Sequence, residues 1–223
     1  MAKPSWTLER VPIMGGATGE AFVNPLHGTG MPVASVLARE AIQNSVDAWQ
    51  RDRADKAKVV FRRVSLTGKA KREFVAVAGL DTEFLRRRKI LGFQQDHCID
   101  SLGKPNAPLH ILYIEDYGTH GLYGNPHDSK SHFFRLLLSL GDSAKSRNRK
   151  DSGGSYGYGK AVYSANSRIH TILAYSVFDP RDDGEKHHAR LMGCAIFTRM
   201  NMTRPCIAVA HGSVCHQGRK ARM

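Results

Sequence analysis

Nowhere in the 223 residues is there a run of 18 or more apolar side chains, so no transmembrane helix is expected. The opening Met1-Ala2-Lys3-Pro4-Ser5-Trp6 lacks the apolar core of a signal peptide, and the compartment expected from that is the cytoplasm. Cysteine is scarce: Cys98, Cys194, Cys206 and Cys215 are scattered with no CxxC spacing. That argues for reduced thiols and against a disulfide framework. Cys206, His211, Cys215 and His216 match no usual zinc-ligand spacing. Internal repeats and low-complexity tracts are also missing, which removes solenoids and fibrous folds. Acids are the minority charge, 20 against 33 lysines and arginines, a balance of +13. An acidic partner or polyanion therefore suits the chain better than a basic one.

Hydrophobic residues make up 41% of the sequence, enough for the core of one large domain. The positive charge gathers at Arg62-Arg63, Arg86-Arg87-Arg88-Lys89, Lys145 to Lys150 and Arg219 to Arg222. Each run reads either as a solvated face or as a polyanion contact, and none carries the interleaved aromatics of a base-stacking platform. Residues 1–30 read as a Gly- and Pro-rich irregular lead-in. Met31 to Arg53 has helical periodicity. Ile42, Val46 and Trp49 share one stripe, while Glu40, Asn44 and Asp47 share another, about 200° away between positions 40 and 42. Lys58 to Leu66 and Arg72 to Ala78 read as two strands joined by Thr67-Gly68-Lys69. Thr82 to Leu91 reads as a short basic helix, Leu109 to Ile114 as a strand ending at Glu115-Asp116, and Ser131 to Leu140 as a helix stopped by Gly141. Asp142 to Ser155 reads as a mobile loop, and a short helix is expected from near Gly157 to Ala165. Ile169 to Val177 and Leu191 to Thr198 complete the strands, linked by a charged turn over 179–190. The order is not a regular strand–helix alternation. It fits an α+β sandwich with helices on one face of a mostly antiparallel sheet. Residues 1–200 read as one domain, and 201–223 as a basic extension or the start of a further region.

Three segments carry chemistry. In the first helix, Glu40 and Asn44 lie one turn apart. A carboxamide oxygen is a hard ligand suited to Mg²⁺, and a carboxylate beside it can orient or deprotonate a water. The second is Asp116-Tyr117-Gly118-Thr119-His120-Gly121, where a carboxylate at a strand end can reach an amino group on a bound base and glycine lets the backbone approach a flat ring. The third, Gly153-Gly154-Ser155-Tyr156-Gly157-Tyr158-Gly159-Lys160, is dense in glycine and runs into a helix, so its N–H groups can meet an anion. The blander readings are an amphipathic helix with a wet face, an ordinary strand–turn, and a flexible loop. Gly154 to Lys160 also fits G-x-x-x-x-G-K, but Ala161 stands where a phosphate-binding loop needs Ser or Thr, and no apolar strand precedes it. His110, His120, His127 and His132 read as surface or packing residues.

In this order the three segments resemble the GHKL ATPases, the group of DNA gyrase B, the MutL repair proteins, the ninety-kilodalton heat-shock chaperones, histidine kinases and MORC proteins. Glu40, Asn44 and Asp47-Ala48 match the N box. Asp116-Tyr117-Gly118 matches D-x-G, and Gly154, Gly157 and Gly159 match G-x-x-G-x-G, the whole spanning residues 36–176. The resemblance implies a Bergerat-type two-layer sandwich that binds ATP with Mg²⁺. It implies Glu40 as the general base, Asn44 as the metal ligand, Asp47 as part of the site, and Asp116 as the adenine-reading carboxylate with Gly118 beside the base. Gly157, Gly159 and Lys160 would wrap the phosphates, Thr171 would support the adenine-side water network, and residues 142–155 would form the lid. One extra residue precedes Gly121, whose role stays open. A glutamate in the N box points to hydrolysis rather than phosphotransfer to histidine. Implied partners are a second copy joining on ATP binding, or a subunit supplying a transducer lysine; DNA is suggested by charge alone. A nucleic-acid-binding module without catalysis, and a nucleotide sensor without turnover, are the competing readings.

Overall fold

The computed structural model describes residues 5–10, 30–86, 88–89, 97–125, 128, 130–138, 161–179, 188–198 and 205–212. They form an α+β protein with two antiparallel sheets. The smaller pairs β2 (Lys58–Leu66) with β3 (Leu109–Tyr117), in register from Lys58 opposite Tyr117 to Leu66 opposite Leu109. The larger has the order β1-β6-β5-β4, built from β1 (Ser5–Arg10), β4 (Thr171–Val177), β5 (Ala189–Thr198) and β6 (Pro205–Gly212). Among the described residues no helix is long and apolar enough to cross a membrane.

Helix α1 (Val33–Asp47) forms where the sequence predicts one. It begins after Pro32, whose carbonyl accepts from Ser35 N at 2.9 Å and Val36 N at 3.2 Å. Neither of the two expected stripes is the packed one. The buried face is Val36, Leu37, Ala41 and Ser45, whereas Ile42 and Val46 stay 46% and 41% exposed. Positions 37, 41 and 45 recur every four residues, so they line one side. Ala41 and Ser45 are small, which lets β3 come close.

The expected hairpin is not there. Its second strand is replaced by helix α2 (Gly68–Val77). Lys71, Phe74, Val75 and Ala78 are spaced i, i+3, i+4, i+7, a helical pattern that the alternation of the same stretch conceals. Lys71 and Val75 are buried, with Phe74 and Ala78 half-buried beside them. The pairing edge of β2 is meanwhile taken by β3, more than forty residues on. Of the basic helix expected over 82–91 the described residues hold a single wide turn, Asp81–Leu85, and of the helix expected from Ser131 they hold a wide turn at Phe134–Leu138. Helix α3 (Ala161–Ala165) is the described part of the helix expected from Gly157. Two strands escaped the sequence pattern altogether. β1 lies in the lead-in and β6 in the tail, and they pair with each other from Ser5 opposite His211 to Arg10 opposite Cys206.

One core joins both sheets. Trp6, Val75, Leu80, Phe84, Ile99, Leu102, Leu109 and Ala195 cluster there, from β1, α2, β3, β5 and the turns between. Trp6 donates its indole N–H to Ala78 O at 2.8 Å, so its one polar atom is satisfied inside the core. Buried beside that core, the Lys71 ammonium donates to the backbone carbonyls of Ser101, Lys104 and Ala107 in the segment that feeds β3. A second cluster, Phe133, Met192 and Cys194, packs on the other face of β5. A third joins Val36 and Leu37 of α1 to Val162 of α3, with Ile114 and Tyr163 against them. This third cluster underlies the site.

Candidate functional site

The third cluster brings α1, the end of β3 and the start of α3 together, and polar contacts then fix their mutual placement. Ser45, buried in α1, lies with Oγ 3.2 Å from Asp116 Oδ2 and also reaches Ala41 O at 3.0 Å. Thr119 Oγ1 donates to the other carboxylate oxygen, Oδ1, at 3.1 Å. Asp116 is thus gripped from both sides, with lone pairs on both oxygens left for a ligand. The turn after β3 is fastened to the end of α1 by backbone bonds: Gln50 N to Gly118 O and His120 N to Ala48 O, each 2.9 Å.

Gly118 has φ +77°, and a Cβ there would stand 2.7 Å from Lys56 O. Only glycine meets both conditions. Gly121 has φ +68°, and its Cβ would stand 2.5 Å from Val177 O. That assigns Gly121 a packing role against the end of β4, where Leu122 N donates to Ser176 Oγ at 2.7 Å. Gly121 and Leu122 therefore join the turn after β3 to the end of β4.

Asn44 donates its Nδ2–H to the Tyr163 hydroxyl at 3.1 Å. Burial pushes the Tyr163 phenol above its ordinary pKa, the Asn44 bond pulls the other way, and the negative charges of Asp116 and Glu40 add to the rise. Tyr163 therefore feels Glu40, Asn44 and Asp116 at once. The Glu40 side chain is 15% exposed, and its Oε1 accepts from Arg39 Nη2 at 2.8 Å and Nε at 3.2 Å. That ion pair bends a neighbouring arginine back over the carboxylate.

The other predicted positions are placed differently. Asp47 is exposed and accepts from Gln43 Nε2 at 2.9 Å, on the outer side of α1. Thr171 donates its hydroxyl to Ile169 O at 2.7 Å, within its own turn. Gly153, Gly154, Gly157, Gly159 and Lys160, with the expected lid over 142–155, lie outside the described residues, as do His127, Cys215 and His216. Helix α3 begins at Ala161, the next residue after Lys160. Ser45, Thr119 and Tyr163 were not singled out by sequence reasoning. Ser45 had a signal in its helical spacing from Leu37 and Ala41; Tyr163 had none, because its partner is 119 residues away.

Among the described residues no group of three or more His, Cys, Asp or Glu could hold a metal. The donor set still fits a divalent cation that keeps most of its own water or phosphate ligands, since with Nδ2 engaged by Tyr163 the Oδ1 of Asn44 is the atom left to ligate.

The opposite face of the β2–β3 ribbon has its own pattern. Arg62 of β2 lies 4.5 Å from the Tyr113 ring centroid and Lys58 lies 5.6 Å from that of Tyr117. Arg62 also pairs with Glu115, which accepts from Tyr117 OH at 2.9 Å. These contacts hold the Glu115 carboxyl below its ordinary pKa, the Arg62 bond being the larger cause and the Tyr117 bond the next. The aromatics missing beside the basic tract in sequence are thus supplied across the strand pair.

Comparison with protein-family models, with curated proteins and with solved structures finds no match to this chain.

Proposed function

We propose that the chain is a Mg²⁺-dependent ATP-binding domain of the Bergerat type, hydrolysing ATP as a conformational switch. The observation that carries this reading is the joining of two motifs distant in sequence: Asn44 and Ser45 on α1 hold, respectively, Tyr163 and Asp116. In this reading Asp116 accepts the exocyclic amino group of adenine, while Ser45 and Thr119 keep its carboxylate aimed. Asn44 Oδ1 would hold Mg²⁺, which when bound neutralises triphosphate charge. Glu40, steadied by Arg39, orients and deprotonates the attacking water, and the glycine segment through Lys160 surrounds the phosphates. A second copy, or a subunit lending a lysine, would complete the closed state.

Isothermal titration of Mg-ATP into the wild-type chain and Asp116→Asn tests the reading. The variant offers an N–H where the base needs an acceptor, so binding weakens about 10- to 100-fold, as for loss of a hydrogen bond to a charged group. Equal binding by both proteins, or by neither, ends it. Glu40→Ala separates enzyme from sensor: binding persists and turnover stops if Glu40 is the base.

A second reading, nucleic-acid contact, is favoured by the Lys58–Tyr117 and Arg62–Tyr113 pairs on the face turned away from Asp116. Cations beside tyrosine rings suit a phosphate backbone with stacked bases. Fluorescence anisotropy with a single-stranded oligonucleotide should show a salt slope that drops by about one for each of Lys58→Ala and Arg62→Ala. Unchanged slopes in both variants remove this reading and leave the nucleotide site untouched.

A further inference from the structure

Asn44 can present either its oxygen or its NH₂ to a metal, and which one it presents depends on what holds the rest of the carboxamide. The terminal torsion of asparagine is broad, with two orientations related by a half turn that exchange O and N. A metal site on Asn44 therefore needs a partner that selects one of them. We propose that Tyr163 is that positioning residue: its hydroxyl oxygen takes the Asn44 Nδ2–H and so keeps Oδ1 turned out as the metal ligand. This inference rests on the nucleotide-site reading above and adds a residue to it.

Two observations carry it. The bond itself is 3.1 Å and partly buried, so water competes weakly for it. Second, Tyr163 stands on α3, directly beyond Lys160, with Val162 packed on Val36 and Leu37. The residue that orients the metal ligand is thus carried by the chain that leaves the glycine segment. Groups that set a ligand's orientation from behind typically change metal affinity 10- to 100-fold when removed.

The test is calorimetric titration of ATP into the full chain, with Mg²⁺ and separately with EDTA, for wild type, Tyr163→Phe, Asn44→Ala and the double variant. Expected is a roughly tenfold loss of Mg²⁺-dependent affinity in Tyr163→Phe with metal-free affinity unchanged. Asn44→Ala should lose the metal dependence, and the double variant should match Asn44→Ala, because the tyrosine acts only through the asparagine. Wild-type metal dependence in Tyr163→Phe while Asn44→Ala loses it overturns the inference alone. Equal weakening with and without metal assigns Tyr163 to packing and also overturns it. Absence of ATP binding by the wild type overturns the nucleotide site and this inference with it. An independent measurement needs no variant: the Asn44 side-chain amide protons in the wild-type Mg-ATP complex should exchange slowly with water by NMR, and exchange at the rate of an exposed asparagine contradicts the proposal.

Discussion

Ser45 Oγ lies 3.2 Å from Asp116 Oδ2, a side-chain contact that ties the last turn of α1 to the end of β3. Both groups lie in segments whose residue types point to chemistry, although the serine itself belongs to no motif. A hydroxyl at a buried helical position, next to a strand-end carboxylate, is what sets the direction of that carboxylate. Ser45→Ala removes the bond while leaving a side chain that fits. A loss of about 1 kcal/mol in stability is expected, with ATP affinity about fivefold weaker. Urea denaturation and calorimetry measure the two separately. A variant as stable and as tightly binding as wild type would show that Thr119 alone holds Asp116.

Gly118 tests the turn beside it. Alanine there combines a left-handed backbone, at φ +77°, with a Cβ 2.7 Å from the Lys56 carbonyl. The conformational penalty alone is about 1–2 kcal/mol, and the clash adds to it. Gly118→Ala should therefore lower Tm by several degrees; an unchanged Tm would mean that the 54–56 segment yields freely.

Lys71 is buried, 2% exposed, and is held by three backbone carbonyls. Lys71→Met preserves length and apolar stem but orphans those acceptors, and a loss of roughly 3 kcal/mol is expected by denaturant titration. Burial also lowers the pKa of this ammonium from its ordinary 10.5. The unfolded chain then binds the proton more tightly, so this group's contribution to stability rises as pH increases from the lowered folded value toward 10.5. That rise should be present in wild type and missing in Lys71→Met when unfolding is followed over that window.

Cys194 is 1% exposed, and burial pushes its thiol up to about 12. The thiolate is the reactive form, so iodoacetamide at pH 8 should leave Cys194 unmodified in the native protein and modify it in denaturant. Peptide mapping by mass spectrometry reads the difference. Rapid native labelling would mean that β5 opens readily.

Short-range patterns were legible without a structure. The periodicity of α1, the apolar run of β3 and the strands β4 and β5 were all read from residues adjacent in the chain, as was the α+β class. What failed was whatever depends on a distant partner. Residues 72–78 alternate well enough for a strand, yet they form α2 because Lys71 and Val75 find buried places and β3 takes the edge of β2. β1 and β6 carry weak patterns of their own and become strands by pairing across almost the whole chain. Glu40, Asn44 and Asp116 could be marked from residue type and spacing, since their chemistry belongs to the side chains. Their convergence on Tyr163 could not, because a contact spanning 119 residues leaves no local periodicity to read. Sequence by itself determined which chemical groups the chain carries and which short segments favour helix or strand. Tertiary structure alone decided which face of α1 packs and which hydroxyls hold the carboxylate and the carboxamide, because those outcomes follow from how much each surface buries against a partner rather than from its own propensity.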